Sequence, residues 1–168
     1  MPLNVEDYHI LKEFKSNKLT NVWLVEHKVT KRQYILKKVL VINIERQKHE
    51  IQIHRRLDHQ FIIKLIDFHA TPTHLFLLIE YARYGDLFAL IPKLEELGDV
   101  KTLKIFFIVV QAVAYLHNLG FVHRDIKPEN ILIAHKMMPK LADFGTSALN
   151  SAIRNTFCGT YEYMAPEI

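Results

Sequence analysis

From Val122 the sequence reads Val-His-Arg-Asp-Ile-Lys-Pro-Glu-Asn. That one stretch gathers a carboxylate at Asp125, an ammonium at Lys127 and a carboxamide at Asn130. Thirteen residues past Asn130 a second carboxylate, Asp143, opens Asp143-Phe144-Gly145. A hard cation bound to a triphosphate needs oxygen ligands, a carboxylate among them. Phosphoryl transfer asks for little covalent help. It needs an aligned hydroxyl, metal ions to hold the phosphates and cations to offset charge. The residue types in these two stretches are those such chemistry uses. A chance polar turn would not be expected to carry both.

These residues need elements to hold them. In the first part of the chain, Tyr8-His9-Ile10-Leu11, Val22-Trp23-Leu24-Val25 and Tyr34-Ile35-Leu36 are short β-rich runs between polar turns. Apolar residues at Ile44, Ile51 and Leu57, with charges between, predict a helix from Asn43 to Leu57. Two more apolar runs follow, Ile62 to Phe68 and Leu75 to Ile79, with Thr71-Pro72-Thr73 as the turn. After Gly85 the pattern turns helical. Asp86 to Leu97 and Asp99 to Leu119 read as helices, with Gly98 and Gly120 where C-terminal stops belong. Leu103, Phe106, Val110, Val113 and Leu116 recur at helical spacing and predict a buried stripe.

The chain has 168 residues and ordinary globular composition, with a net charge of +4. No basic run exceeds Lys37-Lys38 or Arg55-Arg56, too sparse for a nucleic-acid arm or a polybasic membrane patch. The single cysteine, Cys158, suits a reducing compartment. The N-terminus has no apolar signal-peptide region, and Ile105 to Leu116 reads as too short to span a bilayer. The expectation is an intracellular protein, cytoplasmic or nuclear, that binds neither nucleic acid nor membrane. Oligomeric state is open.

The motifs resemble those of the eukaryotic-type serine/threonine protein kinases over nearly all of the chain from Tyr8 onward. Val122 to Asn130 is similar to the family's catalytic loop, with Ile126 for leucine. By that resemblance Asp125 orients the acceptor hydroxyl and takes its proton, and Lys127 sits beside the γ-phosphate. Asn130 and Asp143 are the magnesium ligands it implies. Thr156 to Glu167 resembles the end of an activation segment with its Ala-Pro-Glu motif, placing a phosphorylation site at Thr156 with Arg124 as its partner. Thr160 falls where these kinases place a threonine on the catalytic lysine and aspartate, which favours serine and threonine acceptors over tyrosine.

Lys37 lies in a variant of the family's phosphate-binding strand motif, fifteen residues past Val22. Lys38 is the adjacent alternative, on the opposite face of the strand. Glu50 is the expected partner of Lys37, and Glu45 fits the spacing less well. Val22, Ile35, Lys37, Glu80, Ala82, Asp86 and Leu132 are the nucleotide-binding positions the resemblance implies, with Ile79 as gatekeeper. Asp86 and Glu129 also match positions that read basic side chains on protein substrates, and Arg154-Asn155-Thr156 is itself a candidate for such a site. His54 is expected to stack with Leu65, Phe144 and His123. Thr156 to Thr160 and Asp143 to Ser147 look most like Aurora-like and cyclic-nucleotide-dependent kinases.

The sequence departs from the family in three places. Where the glycine-rich loop belongs it has Lys15-Ser16-Asn17-Lys18-Leu19-Thr20-Asn21-Val22, with no glycine. Ile35 replaces the usual alanine and narrows the adenine slot. The sequence stops one residue after Glu167, so the family's later helices are expected to lie outside it, leaving apolar surface on the helical part uncovered.

The resulting expectation is an α+β, protein-kinase-like two-lobed fold. Residues 1–81 form an antiparallel-sheet small lobe with one helix, and residues 82–168 the first part of an incomplete helical large lobe, with ATP between them. The expected activity is transfer of the ATP γ-phosphate to serine or threonine hydroxyls with Mg2+. A kinase-shaped scaffold without phosphotransfer is the alternative.

Overall fold

The computed structural model describes residues 3–93, 98–149 and 159–166. The chain divides into two compact units, Met1–Lys48 with Lys64–Tyr81 and His49–Ile63 with Ala82–Ile168.

The first unit is built on five antiparallel strands: β1 (Tyr8–Ser16), β2 (Thr20–His27), β3 (Gln33–Leu40), β4 (Leu65–Ala70) and β5 (His74–Glu80). Their order is β1-β2-β3-β5-β4. Alternation sorts their side chains onto two faces. On one face Val25, Leu36 and Leu78 are buried with Leu3, and Tyr8, Trp23, Tyr34 and Phe76 pack around them. Register places Val22 opposite Lys37 and Lys37 opposite Leu77, and Leu24 opposite Ile35 and Ile35 opposite Ile79. Val22, Ile35, Lys37 and Ile79 therefore share the other face. Lys38 points away from it, its ammonium 5.8 Å from the centre of the Phe76 ring. The β1–β2 pairing is irregular at Ile10/Lys12 and Glu13/Lys15.

The border between the units passes through α1 (Ile44–Arg56). Near its start, Gln47 Nε2 donates to Leu40 O at 2.9 Å. Further along, Ile53 joins the main core of the second unit with Leu57, Phe61, Ile62, Ala112, Leu116, Phe121, Leu141 and Phe144. Each large apolar side chain buried there contributes about 1.5–3 kcal/mol.

Among its described residues the second unit also contains α2 (Leu87–Leu90), α3 (Asp99–Asn118) and four short strands. The strands are β6 (Phe121–Val122), β7 (Ile131–Ala134), β8 (Met138–Leu141) and β9 (Ala148–Leu149), paired β6–β9 and β7–β8. α3 ends as expected, with Gly120 at φ 79° donating its N–H to His117 O.

Three expectations need correction. The helix predicted over 86–97 is one turn of α-helix followed by a 3-10 turn, Ile91–Lys93. Pro92 cannot donate to a continuing helix, and residues 94–97 lie outside those described. The stripe on α3 is not uniformly buried. Leu116 is fully buried, but Leu103, Phe106 and Val110 are 64%, 66% and 44% exposed, with Val100 and Phe107 exposed beside them. Periodicity made this face apolar, and no described residue covers it. α3 is also long and apolar enough to cross a membrane by length and composition alone, contrary to the reading of Ile105 to Leu116. Length and composition alone do not make it a span.

Candidate active site

The catalytic-loop residues hang between β6 and β7, and the segment is locked by its own polar groups. Asn130 Nδ2 donates to Asp125 O at 2.8 Å and to Asp125 Oδ2 at 2.9 Å. Lys127 Nζ lies 3.2 Å from Asp125 Oδ2 and donates to Thr160 Oγ1 at 2.6 Å. The Thr160 hydroxyl in turn donates to Asp125 Oδ1 at 2.6 Å. Four residues expected near one another from their motifs thus form one closed hydrogen-bonded set.

Burial alone would raise the Asp125 carboxyl. The hydrogen bonds from Thr160, Lys127 and Asn130, with the Lys127 charge, outweigh it and hold the group below its ordinary value. Asp125 is therefore ionised at neutral pH and able to accept a proton. His123 is pushed the other way for an imidazole. Burial lowers its pKa, and the bond to Ala142 O and the charges of Asp143 and Asp125 only partly offset that.

Asp143 is carried beside this set by the backbone, because Ala142 N donates to Asn130 O at 2.8 Å. Its backbone is left-handed, φ 62°, and its Oδ1 accepts from Gly145 N at 3.2 Å. The Asp143 side chain is exposed. Because Nδ2 of Asn130 is committed to Asp125, Oδ1 is the oxygen that could face a metal. A carboxylate and a carboxamide oxygen are hard donors, and Mg2+ completes its shell with water and phosphate. The donor set fits that ion. Among the described residues no group of three or more His, Cys, Asp or Glu side chains forms a metal cluster.

Phe144 anchors the Asp143 segment. Its ring is 1% exposed and lies between two imidazoles, 4.8 Å from His54 and 5.3 Å from His123 by centroid. His54 Nε2 is 2.7 Å from Ile63 O, so the unexpected histidine is satisfied by backbone. Leu65, its other expected neighbour, belongs to the first unit. Glu50, near the middle of α1, reaches the same segment: a Cβ built on Gly145 would lie 3.4 Å from Glu50 Oε2. Lys37 belongs to the first unit and Glu50 to the second.

The nucleotide-binding positions fall in both units. Val22, Ile35 and Lys37 share one face of the sheet, and Glu80 ends β5, its N–H donating to Lys64 O at 2.9 Å. In the second unit Ala82 is buried, and Asp86 bridges to Leu132. Asp86 also caps α2, its Oδ1 accepting from Ala89 N at 2.7 Å. Thr156, Arg154, Asn155, Cys158 and Glu167 lie outside the described residues. Arg124 has φ 68°, and its Nε donates to Thr146 O at 2.7 Å.

Sequence reasoning missed Gly159. It has φ 119°, and a Cβ there would meet Arg124 O at 2.8 Å, so it lets the chain pass close enough for Thr160 to reach Asp125. Its place directly before Thr160 was the available signal.

Comparison with known proteins points to protein kinases. Over 121 residues the chain is 42% identical to serine/threonine-protein kinase GIN4 of Saccharomyces cerevisiae, covering 71% of this chain and 11% of that protein. It is 40% identical over 146 residues to CBL-interacting serine/threonine-protein kinase 14 of Arabidopsis thaliana, covering 84% of this chain and 32% of the relative. It is 33% identical over 174 residues to an Aurora kinase of Candida glabrata, covering 99% and 49%. The chain thus spans between about a tenth and a half of the length of these relatives. Residues 8–168 match the protein kinase domain, and the chain belongs to that family.

Proposed function

We propose that this chain carries the catalytic machinery of a protein serine/threonine kinase that moves the ATP γ-phosphate to protein hydroxyls with Mg2+. The observation that carries this reading is the closed set of Asp125, Lys127, Asn130 and Thr160. In it Asp125 accepts the proton of the serine or threonine hydroxyl as the new O–P bond forms and the bond to the β-phosphate oxygen breaks, releasing ADP. Lys127 offsets charge on the transferred group. Asn130 Oδ1 and Asp143 would hold Mg2+, which neutralises phosphate charge when bound. Lys37 holds the α- and β-phosphates with Glu50 as its partner, while Val22, Ile35, Glu80, Ala82, Asp86 and Leu132 receive the nucleoside. Glu129 and Asp86, at positions the family resemblance ties to basic substrate side chains, are the proposed contacts for such a side chain near the acceptor. Thr156 is the proposed activating phosphosite. An ATP requirement and a single cysteine fit an intracellular setting.

A second reading, a nucleotide-binding or scaffolding module without transfer, is favoured by the glycine-free loop and by Ile35. Thermal unfolding with and without Mg-ATP, together with phosphate incorporation into serine, threonine and tyrosine peptides, separates the two. The kinase reading expects stabilisation of about 2.7 kcal/mol at a hundredfold excess over Kd. Stabilisation should be lost with EDTA and in Asp143→Asn, and label should appear on serine and threonine peptides. Stabilisation without label would leave the second reading. No stabilisation, and no label, would overturn both nucleotide readings.

A further inference from the structure

The β1–β2 hairpin carries no glycine where the family's pattern places a glycine-rich loop, and its geometry is specific. Ser16 pairs with Asn21, leaving residues 17–20 as the turn. Asn17 N donates to Thr20 O at 3.1 Å. Asn17 Oδ1 then accepts from Leu19 N at 3.0 Å and Thr20 N at 2.7 Å. Asn21 Nδ2 donates to Ser16 Oγ at 2.8 Å across the base of the turn. None of residues 15–22 has a positive φ. Loops that hold phosphate through the backbone present successive N–H groups outward. Here two such groups are turned inward onto one carboxamide.

We propose that Asn17 is a positioning residue that closes this hairpin and withdraws the Leu19 and Thr20 amides from phosphate recognition. The inference rests on the nucleotide-binding role proposed above. It assigns phosphate affinity to groups outside the hairpin, Lys37 and the Mg2+ ligands among them, so the hairpin itself adds little to any preference for ATP over adenosine. Removing the carboxamide frees both amides. A hydrogen bond to a charged partner is worth roughly a factor of ten or more. Allowing for the order the turn loses, Asn17→Gly should tighten Mg-ATP by at least about fivefold and change adenosine by less than about twofold.

The test measures the Kd of Mg-ATP and of adenosine for the full chain, its Asn17→Gly variant and its Asn17→Asp variant. Amide hydrogen exchange at Leu19 and Thr20 is followed in parallel. The proposal expects protected amides in the wild type and in Asn17→Asp, which keeps the acceptor oxygen. It expects unprotected amides and a raised ATP preference only in Asn17→Gly. Unprotected wild-type amides would overturn it, whatever the nucleotide data. Adenosine binding with an unchanged ATP-to-adenosine ratio in Asn17→Gly would refute Asn17 alone and leave the kinase reading standing. Failure of both ligands to bind any form would sink the nucleotide reading, and this proposal with it.

Discussion

Thr160→Val tests the catalytic set directly, because valine keeps the shape of threonine and removes only the hydroxyl's hydrogen bonding. The hydroxyl makes two 2.6 Å bonds, one accepted from Lys127 and one donated to Asp125. Bonds to charged groups contribute about 1.5–3 kcal/mol each. Asp125 and Lys127 keep their 3.2 Å contact, and their side chains retain 13% and 20% exposure, so water can replace part of what is lost. The low end of the range applies, about 3 kcal/mol for the pair, or roughly a hundredfold in kcat. Thr160→Ser should stay within a few-fold of wild type.

The titration of Asp125 should move as well. The Thr160 bond is the first of the interactions that lower its pKa, so the variant's carboxyl should move upward. In the wild type the folded value lies below the unfolded one. Asp125 therefore contributes stability above about pH 3.9 that is lost as pH falls through the folded value. In Thr160→Val that contribution shrinks and the acid limb of kcat moves to higher pH. Peptide phosphorylation and carbon NMR of the labelled carboxyl measure the two effects. Wild-type kcat with an unmoved Asp125 titration would refute the role given to Thr160.

Other consequences are open to direct measurement. Gly159→Ala places a Cβ 2.8 Å from Arg124 O at a φ of 119°. Local strain of about 1–3 kcal/mol should lower both Tm and kcat, with kcat falling further because the clash shifts the neighbouring Thr160. Phe144→Ala should remove about 3–5 kcal/mol from the second unit, read as a lower urea midpoint. His123 has a folded pKa depressed by burial, so its contribution to stability is present above about pH 6.5 and lost as pH falls below it. The urea midpoint should drop between pH 7.5 and 5.5, and drop less in His123→Gln.

The parts of this site that were legible in the sequence are those carried by contiguous motifs. Asp125, Lys127 and Asn130 lie within one loop, so their spacing alone forces proximity, and the Phe144 anchor travels with Asp143. The sheet was legible for a similar reason, since alternation in Val22 to Val25 and Tyr34 to Leu36 has one physical reading when both faces are defined. Where a pattern states only polarity, the sequence said less. The spacing of Leu103, Phe106 and Val110 shows an apolar face but not what lies against it. The stretch from Leu87 was apolar enough for a longer helix, and Pro92 decided its length. The missing glycines of the hairpin were visible, but the carboxamide of Asn17 turning back onto Leu19 and Thr20 depends on torsion angles that no residue pattern encodes.

The backbone's left-handed residues suggest where this chain has room for improvement by design. Among the described residues, five non-glycine residues adopt positive φ: Lys31, Arg124, Lys136, Met137 and Asp143. Arg124 and Asp143 belong to the site, where an unusual torsion aims a side chain and relaxing it would cost function. Lys136 and Met137 connect β7 to β8, have φ of 58° each and are not members of the hydrogen-bonded set of Asp125, Lys127, Asn130 and Thr160. Asparagine at 136 and glycine at 137 would suit the same turn with less torsional cost, about 1 kcal/mol apiece. A sturdier chain is therefore within reach of two substitutions, and the strain at Lys136 and Met137 can be relieved separately from the strain that Arg124 and Asp143 carry in the site.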